Sequence, residues 1–236
     1  MRLPCARLPH CLLFAILALA LCVRAGAAPL PPWTGDLQHT SWTREDGAPS
    51  AVYSITQDAA GMLWFAATDG LYSFDGARFV RNDEVFGHKL RSPLTMAVAA
   101  HGDALWVSYQ FGDISRFERG AVHHYVGKDS PPTTVFRFGR TPDGVMWASS
   151  GTGMHRLEGK RWLEVGPSAG LPYGRPHGFS ALADGSLLVY CADGIYRGAP
   201  GSAAGERRFI KVLDQPQLGS GYLRPDGKIV IKTRAR

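Results

Sequence analysis

Three short stretches of this 236-residue chain concentrate side chains suited to holding a ligand. Lys89 and Arg91 stand two apart, Tyr109, Gln110 and Phe111 are consecutive, and Tyr173, Arg175 and His177 alternate. Aromatic faces beside Arg and Lys suit sugars that carry carboxylate or sulfate groups, although hydration alone accounts for any single polar loop residue. Catalytic chemistry is harder to place. His123 and His124 fall on a strand, so their side chains point to opposite faces and do not chelate one metal together. His155 stands where other repeats carry Tyr72 and Tyr196, which is a packing position. No His or Cys spacing matches a zinc site, and there is no G-x-S-x-G nucleophile turn. Glu45-Asp46 and Asp83-Glu84 are adjacent acids in loops, better explained as solvated turns than as an acid–base pair. No catalytic residue, metal site or cofactor is therefore expected.

The elements that must position these side chains are short strands. Val52 to Phe79 reads as one antiparallel meander: an alternating strand, the turn Asp58-Ala59-Ala60-Gly61, an apolar run over 62–67 centred on Trp64, the turn Thr68-Asp69-Gly70, a strand over 71–74, Asp75-Gly76, and a fourth strand opening at Phe79. A lone meander exposes an apolar face and must stack on a neighbour. The neighbours recur in register. Trp64, Trp106, Trp147, Leu188 and Val230 follow one another at intervals of 42, 41, 41 and 42 residues. Each follows an apolar residue and a Gly-containing turn. Six residues after the first four anchors comes a second glycine: Gly70, Gly112, Gly153 and Gly194. A period of about 40–45 residues with four strands is the mark of a β-propeller. The expected fold is all-β: a partial propeller of about four four-stranded antiparallel blades plus the start of a fifth, open rather than closed. The blades fall at about 52–83, 94–125, 134–165, 178–212 and, in part, 222–236.

Glu45-Asp46-Gly47-Ala48-Pro49, Gln57-Asp58, Gly61-Met62-Leu63-Trp64 and Asp69-Gly70-Leu71-Tyr72-Ser73-Phe74-Asp75-Gly76 resemble the first blade of the two-component regulator propeller family. The resemblance covers roughly residues 36–236. It is specific in blade one, clear in blade three, degraded in blade four, where Leu188 replaces the Trp, and fragmentary in blade five. It implies a periplasmic or extracellular ligand-sensing propeller of a membrane-bound sensor histidine kinase, or of a diguanylate cyclase. It names no ligand and brings no fixed catalytic residues.

Residues 1–27 read as a cleaved secretory signal: Arg2 and Arg7, an apolar run from Cys11 to Val23 too short to span a bilayer comfortably, and the small residues Ala25-Gly26-Ala27. Residues 28–36 form a Pro-rich linker, and the incomplete sensor propeller occupies 37–236. Loss of the leader removes three of four cysteines, leaving Cys191 with a buried apolar role and no disulfide. It also removes three arginines and no acid. The remaining 23 basic and 20 acidic residues give a net charge of +3, no footprint for nucleic acid. Leu37 to Thr43 alternates and reads as a strand closing the blade at the other terminus. The chain ends in mid-blade, without an apolar run of 18 residues, a dimerisation helix or a nucleotide lid. The expected partners are a small-molecule or oligosaccharide ligand and the missing C-terminal membrane and kinase region of the same protein. Closure of a ring by a second copy, as a homodimer, is the alternative. The expected location is the periplasm, with the full-length form anchored in the inner membrane. A secreted lectin-like module is the rival reading. A propeller lyase or hydrolase is a third and needs converged acid, base or metal groups.

In an up-down meander, the loop before the first strand and the loop between the second and third lie on one side. Here those loops are 44–50 with 67–69, 86–93 with 109–111, 128–133 with 149–152, and 167–177 with 190–193. They are longer and more varied than the Asp-Gly turns opposite, and all eight candidate ligand residues belong to them.

Overall fold

The structure is a computed structural model that describes residues 39–203, 205–224 and 226–233. The leader and the whole linker lie outside those residues. The chain divides into two units, Met1–Ser41 and Trp42–Arg236, and every described strand belongs to the second.

Four antiparallel meanders follow in chain order. The first comprises β1 (Val52–Gln57), β2 (Leu63–Ala67), β3 (Gly70–Phe74) and β4 (Phe79–Asn82). A small ribbon, β5 (Glu84–Val85) and β6 (His88–Lys89), comes next. The second meander is β7 (Thr95–His101), β8 (Ala104–Tyr109), β9 (Ile114–Glu118) and β10 (Ala121–Tyr125). The third is β11 (Val135–Arg140), β12 (Met146–Ser150), β13 (Met154–Glu158) and β14 (Arg161–Val165). The fourth is β15 (Gly178–Ala181), β16 (Leu187–Cys191), β17 (Gly194–Pro200) and β18 (Arg207–Asp214). A hairpin of β19 (Leu218–Leu223) and β20 (Ile229–Thr233) completes the described chain. No strand pairing among the described residues joins the first sheet to the last.

The anchors work as interleaved wedges. In the second strand of each blade, alternate side chains point to opposite neighbours. Trp64 and Ala66 of β2 pack with Leu105, Val107 and Tyr109 of β8. Trp106, on the other face of β8, packs with Phe138, Met146 and Ala148 of the third blade. Trp147 packs with Phe179, Leu187 and Val189 of the fourth, and Leu188 with Leu218 and Ile231 of the fifth sheet. Because both faces of these strands are covered, they read as continuous apolar runs rather than alternating ones. The four anchors are buried, whereas Val230 remains 40% exposed. Two of the anchor indole N–H groups are satisfied locally: Trp64 donates to Asp58 at 2.9 Å and Trp147 to Thr141 at 3.0 Å, each six residues upstream.

Hydroxyls join the innermost strands. Ser54 Oγ donates to the Val98 carbonyl at 3.1 Å, and Thr56 Oγ1 accepts from the Ala100 N–H at 3.1 Å. Ser108 Oγ donates to the Val135 carbonyl at 2.8 Å. At the second-glycine position the geometry forbids a side chain: Gly194 has φ +151°, and a Cβ there would lie 2.0 Å from the Leu213 carbonyl oxygen.

Three expectations change. His39 to Thr43 form no strand, Leu37 and Gln38 lying outside the described residues. Instead the Asp46 carboxylate accepts the Thr43 N–H (2.7 Å) and hydroxyl (3.0 Å), turning the chain into a 3-10 turn, Arg44–Asp46. Trp42 packs edge-on against Phe74, ring centroids 5.1 Å apart. Residues 84–89, read as loop, form the ribbon, because Phe86 (φ 51°) and Gly87 (φ 82°) supply the paired positive φ of a tight hairpin. The fifth sheet begins at Leu218, before the expected Tyr222. Its glycines look like loop residues, yet a Cβ on Gly221 would lie 2.8 Å from the Tyr190 ring, so close strand packing is what requires glycine there.

Candidate ligand site

The first strands of successive blades stand side by side and wall a cavity of about 800 Å³. One backbone device is repeated along this wall. The β1–β2 register passes from Val52 to Ser54, the β7–β8 register from Thr95 to Ala97, and the β11–β12 register from Val135 to Arg137. Each skipped residue is a β-bulge, and a bulge re-aims its side chain out of the ladder. The three skipped residues, Tyr53, Met96 and Phe136, all line the cavity. His177 takes the equivalent place in the fourth blade. Its N–H donates to the Tyr190 carbonyl at 2.7 Å, and Tyr190 is also the partner of Gly178. His177 lines the cavity too.

The remaining lining gives the cavity its electrostatic character. Arg137, Arg175 and His101 contribute to the wall, and no Asp or Glu does. The Arg175 guanidinium carbon lies 3.6 Å from the centroid of the Phe136 ring, a close cation–π stack. The Arg137 Nη1 lies 3.1 Å from where a Cβ on Gly178 would be, so Arg137 reaches from the third blade to the fourth. His101 is held toward its neutral form by burial and by the nearby Arg140.

The eight sequence-selected residues do not form one cluster. Arg175 and His177 reach the cavity. Lys89 and Arg91 line a separate groove with Arg81, Asp83 and Glu84. There Arg91 pairs with Asp113 at 3.1 Å. Tyr109 is 1% exposed and packed in the core, its hydroxyl donating to Ser115 at 3.0 Å. Phe111 and Tyr173 are 80% and 85% exposed, and Gln110 is exposed as well; none of the three lines the cavity. Tyr53, Met96, Phe136 and Arg137 are the wall residues that loop-based selection passes over, because they sit on strands. Their common offset from the anchor Trp is the signal that finds them: 11, 10 and 11 residues before Trp64, Trp106 and Trp147 for the bulge positions.

The other reactive groups are committed elsewhere. His155 is buried on β13 beside Ser150, and burial holds it toward its neutral form. His123 packs edge-on against Tyr125, and His124 bonds to Ser115 at 2.8 Å. Burial, with Asp193 nearby, pushes the Cys191 thiol up to about 12, which leaves it unreactive as a nucleophile. No group of three or more His, Cys, Asp or Glu among the described residues has metal-binding geometry.

No protein-family model matches the chain, and no curated protein matches it. Solved structures do. The chain is similar to a structure described as the extracellular domain of a hybrid two-component system from B. thetaiotaomicron. The TM-score is 0.64 at 20% identity, over 82% of this chain and 29% of that one. A second such domain from the same organism gives 0.60 at 12% identity, over 83% and 27%. Virginiamycin B lyase from Staphylococcus aureus gives 0.54 at 15% identity, over 78% and 70%. The chain spans less than a third of the length of the two extracellular domains. At these identities the likeness establishes the fold, and that fold is a β-propeller whose four-stranded antiparallel blades are not closed into a ring by strand pairing among the described residues.

Proposed function

We propose that this chain is the ligand-binding part of an extracytoplasmic sensor of the two-component type, and that its ligand sits against the bulge-lined wall of the inner strands. The observation that carries this reading is that wall. Three blades use the same bulge to aim Tyr53, Met96 and Phe136 into one cavity, and His177 enters it from the equivalent place in the fourth, which gives a recognition surface on a repeated frame. The likeness to the two extracellular domains supports a sensory role, and the basic, apolar and small-residue order of the leader supports export to the periplasm. The lining favours binding over acid–base catalysis. It includes no carboxylate, and its two histidines stand at opposite ends of the blade-inner strands, His101 ending β7 and His177 preceding β15. A ligand switches such a receptor only through differential affinity for its two states, and the kinase or cyclase that reads the switch belongs to the rest of the protein.

Two measurements test this. A thermal-shift screen of the exported protein against neutral and charged saccharides and small organic acids should find compounds that raise its melting temperature. Their effect should be lost in Ile55→Trp, which fills the cavity from β1. A panel in which nothing moves the melting temperature would remove the ligand-site reading. Sequencing beyond the Arg236 codon should meet further repeats, a membrane helix and a kinase or cyclase. A stop codon with nothing similar downstream would favour a secreted binding module.

A further inference from the structure

The two arginines of the cavity wall are presented in a way that specifies the ligand's charge. Arg175 lies flat on Phe136, so one face of its guanidinium is taken up by the ring, while its in-plane N–H groups remain as donors. Arg137 comes from the residue next to that ring and reaches the backbone at Gly178, three residues beyond Arg175. Both guanidinium groups therefore serve the same corner of the cavity. Neither makes an ion pair or a hydrogen bond among the described residues, and no acid lines the wall to neutralise them. Arg91, Arg116, Arg156, Arg161 and Arg197 are paired with carboxylates, whereas Arg137 and Arg175 are two unpaired cations on one cavity wall. Beyond the cationic corner the wall turns apolar at Met96, Ile55 and Tyr53, the last being half exposed. A volume of about 800 Å³ is far larger than an inorganic anion needs and falls in the range that holds an organic ligand.

Resting on the reading of this cavity as the ligand site, we propose that it selects a carboxylated saccharide of the uronic-acid type. Its carboxylate is forked by Arg137 and Arg175, and its sugar ring lies against Tyr53 and Met96. The probe is tetragalacturonate, compared with the same tetrasaccharide fully methyl-esterified, so that charge is the principal difference. Isothermal titration of the full chain should show binding of the free acid and binding of the ester weaker by on the order of tenfold or more. Arg137→Gln and Arg175→Gln should each weaken the acid to a similar degree. Both arginines are exposed and without an ion pair, so unliganded Arg137→Gln should melt at the wild-type temperature, and Arg175→Gln, which gives up its stack on Phe136, only slightly below it. Equal binding of acid and ester would overturn the charge inference while leaving the ligand site standing. Wild-type affinity in both Arg variants would place the acid elsewhere on the molecule. No binding of the acid at all would overturn the uronate assignment, and the separate saccharide and acid panel would still decide whether the cavity is a ligand site.

Discussion

At Trp147 the whole indole is withdrawn from water. Its ring lies between the third and fourth blades, and its N–H is satisfied by Thr141. Trp147→Ala should therefore cost about 3–5 kcal/mol in chemical denaturation; a much smaller loss would mean that the blades do not depend on this wedge. Close by, Arg207 is fully buried over the same ring and pairs at 2.9 Å with Asp143, across two blades. Burial pushes the Asp143 carboxyl up, but bonds from Thr141, Arg207 and the Gly205 amide together outweigh it and hold the group at about 2. Asp143→Asn leaves a buried guanidinium without its anion and should lower stability by about 2 kcal/mol, less than for a fully buried pair because Asp143 is partly exposed. A carboxyl lowered from 3.8 to about 2 stabilises the folded state fully above about pH 4 and ceases to do so as the pH falls towards 2. Denaturation curves of wild type and Asp143→Asn should thus converge over that window and stay apart above it.

Single strands and turns show which features a sequence can announce. The anchor and second-glycine register is legible because each residue is demanded by something local: a wedge between blades, or a backbone that excludes a Cβ. Gly194→Ala should cost more than about 2 kcal/mol, since it combines positive φ with a clash against the Leu213 carbonyl. Gly76→Ala, also at positive φ but in open space, should cost only about 1 kcal/mol. Equal losses in urea titrations would show that the clash is relieved by backbone movement. The bulges are not legible in the same way. Whether Tyr53 or Phe136 is skipped depends on which partner residue it faces, and strand pairing is a property of two segments at once. Hence Arg175 and His177 are found from loop composition, whereas Arg137, on a strand, reads as an ordinary alternating position. Tyr109 shows the converse: it looks like an aromatic loop residue, but the alternation of β8 turns it into the core against Trp64.

Across the whole assembly, the blades are stitched by hydroxyl-to-backbone bonds and wedges, and the described chain leaves apolar strand surface uncovered at its last sheets. On β18 Ile210 is 67% exposed, with Val212 and Leu213 also exposed, and Tyr222 and Val230 follow on the fifth sheet. Such an edge invites pairing with another chain. Ile210→Lys with Val212→Lys should reduce the apparent mass seen by light scattering at high concentration; an unchanged mass would mean that the edge does not mediate association. The bulges carry a different consequence at this scale. A skipped residue is held in place by its neighbours' pairing and contributes little to the ladder itself, so its identity is nearly free of the demands of folding. Tyr53, Met96 and Phe136 are then three exchangeable positions on a constant frame. A combinatorial library varied at these three alone should keep one architecture while changing the chemistry of the cavity wall, so that surface is open to variation without loss of the fold.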